Sequence, residues 1–525
     1  MSALVSIEGW NPALGGPDSV RFATGRGYVS TPDSSPPHAV FAPRLIQAGN
    51  FRRRIALAAG PAGGATEPGY GEIIVNNADG ALDHLLDWGF DGRRLEIRRG
   101  PVETAVRPGR WPEDFPAVLV GTVEGTEWER RRIIFRLRDR LAEVADRLLI
   151  EDVYAGDNVA PDGLEGTEAD LKGEAKPQPV GIVRNVRLSL VNASKLIFQA
   201  AHRAVQAIDV QAMNDQGAAL TAGSDFASLA DLQDDGEAPS SGQYRVYPGT
   251  SGTGAYVRLG SSPAGEVTAR IAEGDSDADR LAGAVMTRLL VLSGVSPAEI
   301  DGAAALDGAF PATVGFWAPP GGARAGEALD LVAASVHGWW TQDRGGRFVL
   351  SRLTEPDGPS RLEIGPQDIL DDGTALRRVV GATEGIPAWR VTVRYQRNWT
   401  VQRADSLAGV ALSDKAWLGQ EYRSVVAEDP AIRAKHLLAR EIEVETALDR
   451  EADAQALAAH LLSLYRVRRD VYEISVPGTL AERLDLGQVL TLRLPRFDLA
   501  GGKRFVLLGE DFDLTRNRAV LTIWG

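Results

Sequence analysis

Toward its end the chain alternates apolar and polar positions in short runs separated by Gly, Asp and Asn. In residues 471–476, Tyr472, Ile474 and Val476 fall on one side and Glu473 and Ser475 on the other. Residues 489–494 set Val489, Thr491 and Arg493 against Leu490, Leu492 and Leu494. Runs at 505–508 and 519–524 follow, divided by Asp498-Leu499-Ala500-Gly501-Gly502 and Thr515-Arg516-Asn517. Period-two patterning bounded by turn formers predicts antiparallel strands joined by tight turns. A final run ending at Trp524 is expected to be tied into a sheet, leaving no tail to fray. Within it Val520, Thr522 and Trp524 share one side while Leu521 and Ile523 take the other, so both faces carry apolar residues. Such a strand belongs inside a wall or against a neighbouring subunit.

The same reading extends along the chain. The region up to about residue 150 is mostly strand, with 121–125 and 132–137 as clear examples. Asp139 is expected to cap a helix carrying Leu141, Val144 and Leu148 on one face. Residues 154–180, rich in Gly, Asp, Glu and Pro, read as a long connection or extended arm. Strands return over 183–271, broken by a polar exposed loop at 231–242. Helices concentrate between 277 and 340. The first carries Leu281, Val285 and Leu289 and ends at Gly294. Ser296-Pro297-Ala298-Glu299 opens the second, and 326–340 is the third. Strand signals resume at 347–350 and 390–394. Asp429-Pro430 starts a helix, 441–446 alternates as a strand, and Asp449 begins a helix carrying Leu457, Leu461 and Leu464. No short tandem repeat is present.

Composition narrows the class of protein. A chain of 525 residues at one domain per roughly 150 residues implies three or four domains. Hydrophobic content of 44% and charged content of 24% allow cores throughout. A net charge of −14 argues against a nucleic-acid groove as the main surface. The clusters Arg52-Arg53-Arg54 and Arg130-Arg131-Arg132 read as charged residues on exposed strand faces. With no cysteine, disulfides, thiolate chemistry and cysteine zinc sites are excluded. The start lacks a signal-peptide pattern and no apolar run reaches roughly eighteen residues. Both point to a soluble product of a reducing cytoplasm.

Each candidate site has a plainer reading. Asp275-Ser276-Asp277-Ala278-Asp279 suggests a calcium loop, yet Arg280 stands where a glycine is needed and Met286 where a glutamate is; helix capping fits better. Gly249-Thr250-Ser251-Gly252-Thr253-Gly254 lacks the Lys-Ser/Thr of a phosphate loop and reads as a turn. None of the histidines (His38, His84, His202, His337, His436, His460) forms a zinc-type pair. Glu441, Glu443 and Glu445 share one side of a strand, the pattern of a solvated face more than of a glycosidase pair. No Gly-x-Ser-x-Gly elbow occurs. Trp339, Trp340, Trp389 and Trp399 could stack on sugars, but core or interface packing is the better reading. No catalytic residue, metal site or cofactor is expected.

Several segments carry a family resemblance. Leu486-Gly487-Gln488-Val489, then Pro495-Arg496, Gly501-Gly502 and Phe505-Val506, then Ala519-Val520-Leu521-Thr522-Ile523-Trp524-Gly525 resemble the C-terminal domain of tail hub proteins of long-tailed bacteriophages and gene transfer agents. Gly71-Glu72-Ile73-Ile74-Val75-Asn76-Asn77-Ala78-Asp79-Gly80, through Leu82, Leu85 and Leu86 to Phe90-Asp91-Gly92-Arg93-Arg94-Leu95-Glu96-Ile97, looks like the N-terminal domain of prophage tail proteins. Lys176-Pro177-Gln178-Pro179-Val180-Gly181 and Ala219-Leu220-Thr221-Ala222-Gly223 are similar to the middle of that group.

The resemblance implies a mainly β, multidomain protein with α+β parts. Tube-type β-barrel or sandwich domains would span 1–152 and 376–525, a β-rich peripheral domain 153–275 and an α/β domain 276–375. It further implies a homotrimer at the virion tail tip or baseplate, synthesised in the bacterial host cytoplasm. Two tube-type domains per subunit would form a pseudo-sixfold ring, joining a sixfold tail to threefold fibres or spike. The implied partners are the distal tail protein, the tape measure protein and tail fibre or spike proteins, with no stable nucleic-acid binding and no membrane span. Leu521, Ile523 and Trp524 are the candidate interface residues. The length leaves no room for the peptidase or glycosidase modules of some hub proteins. The alternatives are a tail-associated polysaccharide or peptidoglycan hydrolase and a host-receptor-binding tail protein.

Overall fold

The structure, a computed structural model, describes every residue except 59–65, 103–107, 159–162, 204, 251, 371–375, 380–384, 404 and 408–414. It is mainly β with α+β parts, and its strands fall into several sheets.

The principal sheet has thirteen strands and draws on both ends of the sequence. Strand Lys503–Asp513 is its meeting point. On one side it pairs with Arg518–Trp524, followed by Val471–Pro477 and Leu376–Val379. On the other it pairs antiparallel with Leu45–Arg54, followed by Tyr70–Asn76, Arg132–Asp139, Ala117–Glu129, Arg94–Gly100, Ser2–Asn11 and Gly16–Ala23. Val489–Leu492 also pairs with Lys503–Asp513, and Glu363–Ile364 with Val489–Leu492. The end strands Gly16–Ala23 and Leu376–Val379 are not paired with each other, so among the described residues the sheet stays open. Alternation explains why these segments are strands: in Arg518–Trp524 the side chains of Ala519, Leu521 and Ile523 are fully buried, while Val520 and Thr522 are half-buried. Gly525 then exchanges two backbone hydrogen bonds with Asp470, at 2.8 and 3.0 Å.

Two five-stranded sheets form a sandwich from the middle of the chain. One holds Ala218–Ala219, Ile208–Asp215, Val267–Glu273, Gln178–Arg187 and Gly315–Ala318; the other holds Ser189–Asn192, Ile197–Ala201, Ala255–Leu259, Gln243–Tyr247 and Thr221–Ala222. Val186, Phe198, Val257, Ile271 and Trp317 fill the core between them. Helices Ala282–Leu292, Ala303–Ala309 and Ala325–Ala334 accompany a small sheet of Ile300–Asp301, Phe348–Arg352 and Gly338–Gln342. A further sheet of Arg423–Glu428, Ala388–Tyr395 and Arg440–Glu445 carries helix Glu451–Tyr465, whose Leu457, Leu461 and Leu464 are buried.

Some expected elements differ. Ser296 opens a single 3-10 turn, Pro297–Glu299, because Ile300 immediately joins Phe348 in the sheet. The helix expected over 326–340 ends at Ala334, and Trp339 and Trp340 lie on a strand buried on both faces. Such a continuous apolar run has no period to separate helix from strand. The polar stretch 231–242 begins inside helix Leu229–Gln233, where Ser228 Oγ accepts from Asp231 N (3.1 Å) and Leu232 is buried. Asp139 does not cap a long helix. The helix is one turn, Ala142–Ala145, and Leu148 is exposed. Asp139 instead accepts backbone N–H bonds from Gly69 (2.7 Å) and Leu141 (3.1 Å).

Candidate functional site

A densely built polar site lies where the two halves of the large sheet meet. Strand pairing sets Arg53 opposite Glu510 and Phe51 opposite Phe512. The two rings stack with centroids 5.3 Å apart. Arg53 donates from Nε to Glu510 Oε1 (2.8 Å), from Nη1 to the Gln342 carbonyl (3.1 Å) and from Nη2 to Asp485 Oδ1 (2.8 Å). Arg344 approaches from the turn between strands Gly338–Gln342 and Phe348–Arg352. Its backbone N–H donates to Asp485 Oδ2 (3.0 Å), and its guanidinium donates to the carbonyls of Leu484, Val118 and Ala481 and to the Glu510 carboxylate. The side chains of Arg53 and Glu510 are wholly buried.

Charge and burial compete in this network. Burial works against the Arg53 cation, but Asp485 and Glu510 outweigh it and raise its pKa above the ordinary arginine value. Burial likewise works against the Asp485 carboxylate, and Arg53 and Arg344 outweigh it and hold its pKa low. Such a network is costly to break one partner at a time, because the survivor is left buried and unpaired. The exposed-face reading of Arg52-Arg53-Arg54 is therefore corrected for Arg53. Arg52 and Arg54 are exposed, while Arg53 points inward in step with Phe51 and Ile55.

Leu521, Ile523 and Trp524 all lie in the chain's own core, at 0%, 0% and 1% exposure. Strand pairing covers them on both sides, Tyr465 meets the Trp524 ring at 6.2 Å, and the Arg469 guanidinium sits 5.1 Å from it. Their packing is intramolecular.

The candidates for chemistry stay dispersed. Glu441, Glu443 and Glu445 are exposed, and Arg394 pairs with the last two, as on a solvated strand face. Ser276 and Asp279 form a capping box on the 3-10 turn Asp277–Arg280. Among the described residues no three His, Asp or Glu side chains come together as a metal site. In the run 249–254, Thr253 N donates to the Thr250 carbonyl (2.9 Å) in a turn, and Ser251 lies outside the described residues. Trp339 and Trp340 are buried, while Trp389 and Trp399 are half-buried. A cavity of about 1240 Å³ beside the sandwich is lined by Phe198, Trp317, Trp399, Ser189, Asp170 and Arg397. Arg397 stacks on Trp399 at 4.2 Å and Phe316 meets that ring edge-on at 5.4 Å, so the Trp399 ring is engaged in internal packing.

His337 is a buried histidine with a structural role. Its Nε2 meets the Tyr465 hydroxyl at 3.0 Å, and His460, Arg352 and Arg440 surround it. Burial pushes its pKa down to about 3, assisted by the neighbouring His460, Arg352 and Arg440. The unfolded chain takes up this proton near pH 6.5 and the fold does not, so stability falls as pH drops from about 6.5 towards 3. Asp139 acts oppositely: burial pushes its carboxyl up to about 7, and its contribution is lost as pH rises through that value. His337→Asn suits the local φ of +50° and cannot titrate. The variant is expected to show a shallower fall in Tm between pH 6.5 and 4 than the parent. Equal slopes would mean that His337 is not held neutral.

No family model and no curated protein matches the chain. Among solved structures it is similar to a tail protein from Neisseria meningitidis, at 10% identity over 100% of this chain and 96% of that one, with a TM-score of 0.41. A chain of the native gene transfer agent virion shows 18% identity over 67% of this chain and 84% of that one, with a TM-score of 0.38. A prophage tail protein from Shewanella oneidensis shows 10% identity over 100% and 96%, with a TM-score of 0.36. With overlap this loose, the chain's own residues carry the functional reading.

Proposed function

We propose that this chain is a structural component of a phage-like tail, and within the tail its hub. It would act as a homotrimer joining the sixfold tube and distal tail ring to the threefold fibres or spike, with the tape measure protein above. The motif resemblance at both ends of the sequence motivates this reading. The observation that carries it is the continuous sheet in which strands from 2–139 and 471–524 are joined edge to edge and riveted by Arg53, Glu510, Asp485 and Arg344. A wall that transmits load between two symmetries needs its parts fixed relative to one another. Strand pairing plus a buried ionic network supplies that stiffness. In this reading the regions 1–152 and 376–525 form the ring, and 153–275 and 276–375 decorate its outside.

The test is mass and shape together. Light scattering across a concentration series is expected to approach three times the chain mass of 56.2 kDa, and imaging should show threefold rings. A protein that stays monomeric even inside assembled particles would overturn the hub.

A further inference from the structure

We infer that the turn His436–Ala439 and the connection after helix Glu451–Tyr465 form a lip that docks on an anionic lipid bilayer surface. The Ala439 N–H donates to the His436 carbonyl (2.8 Å), which closes a tight turn with Leu437 and Leu438 at its two central positions. Those positions ordinarily take Gly, Pro, Asn, Asp or Ser. Here two leucines are 86% and 80% exposed. The pair is not a scattered surface residue of the ordinary kind, because it stands at a protruding tip and has company.

The company is cationic. Over 430–440 and 466–469, between the flanking Asp429, Glu441 and Asp470, every charged side chain is Arg or Lys: Arg433, Lys435, Arg440, Arg466, Arg468 and Arg469, the last of them paired with Glu355. The structure brings both segments to one end of the sheet containing Ala388–Tyr395. Ala388 pairs with Arg440, Asp429 N donates to the Trp389 carbonyl (2.8 Å), and the Arg433 guanidinium lies 5.0 Å from the Trp389 ring. Towards the other segment, the Arg440 guanidinium lies 5.0 Å from the ring of Tyr465, the last residue of the helix, and a Cβ on Gly385 would come within 2.7 Å of the Arg469 carbonyl oxygen. Lys435, Arg466 and Arg468 are exposed and form no ion pair among the described residues, and Val467 between the arginines is half exposed.

Shape and size decide between occupants. A specific protein partner needs roughly 800 Å² a side with complementary relief, and a convex four-residue turn offers far less. A bilayer interface needs neither, since it admits protruding apolar side chains and attracts the basic residues around them. Each cation near an anionic leaflet strengthens partitioning about fivefold, an effect that salt screens.

Vesicle flotation of the full chain tests this. The protein should float with phosphatidylglycerol–phosphatidylcholine vesicles at low salt and not with pure phosphatidylcholine. Lys435→Ser/Arg466→Ser/Arg468→Ser should cut partitioning about a hundredfold, and Leu437→Ser/Leu438→Ser should abolish it, both with unchanged Tm and oligomer mass. Absence of flotation would overturn the proposal, as would flotation undiminished in both variants. A change in oligomer mass without a change in flotation would also overturn it, and would make the lip a contact between protein chains. Because oligomer mass is read separately, the outcome does not depend on the hub reading.

Discussion

Glu510→Leu is expected to lower the stability of the fold by roughly 3–5 kcal/mol. Its carboxylate is shared by two guanidiniums, Arg53 and Arg344, whose side chains are 0% and 8% exposed. The leucine fills a similar space but removes a carboxylate from both buried cations. Arg53 would keep Asp485, and Arg344 would keep only carbonyls and the Asp485 contact through its backbone. Arg52→Ala is the matched control on the same strand. Its partner Asp511 is exposed, as Arg52 is, so the loss should stay within about 1 kcal/mol. Urea unfolding of the two variants measures the contrast. If Glu510→Leu unfolds at the parent's midpoint, the network is not what holds the two halves of the sheet together.

Deleting 519–525 should have a larger consequence still, because it removes an interior strand. Arg518–Trp524 is paired on both sides, with Lys503–Asp513 and with Val471–Pro477. Burial of Leu521 and Ile523 is worth roughly 1.5–3 kcal/mol each, and Trp524 adds its contacts with Tyr465 and Arg469. Truncation would leave two unpaired edges, and such edges recruit other chains. The expected result is aggregation and loss of ordered assembly, seen by light scattering and imaging. A truncated chain that assembled and melted like the parent would show the segment to be dispensable.

Much of this architecture is legible in the sequence, and the parts that are not have a common cause. Period-two runs locate the strands around 489, 519, 390 and 441 because each has one buried and one wetter face, and the strand around 471 alternates in sequence although Ser475 is buried as well. What local pattern cannot show is which strand pairs with which. The Arg53–Glu510 contact spans 457 positions, and nothing near Arg53 announces a carboxylate that far away. A signal is nevertheless present: Phe51, Arg53 and Ile55 alternate, so Arg53 shares the inward face of two apolar residues. Leu508, Glu510 and Phe512 alternate in the same way. A charge in register with core positions on each of two strands is the mark of a buried pair. Trp339 and Trp340 read as helical for the opposite reason, since a segment buried all round carries no period. The turn at Leu437–Leu438 is invisible because its residues belong, by composition, to a core.

The pairing of Leu45–Arg54 with Lys503–Asp513 also sets a timetable. A ribosome adding about 5–20 residues per second needs roughly 20 to 90 seconds to make the 457 residues between Arg53 and Glu510. Throughout that interval the earlier strand presents an unpaired backbone edge and, at Arg53, a cation without its counter-charges. Contacts of such long range form late and slowly. The nascent chain therefore passes through a stage in which its first sheet is built but unfinished, and in which neighbouring nascent copies are the nearest source of a matching strand.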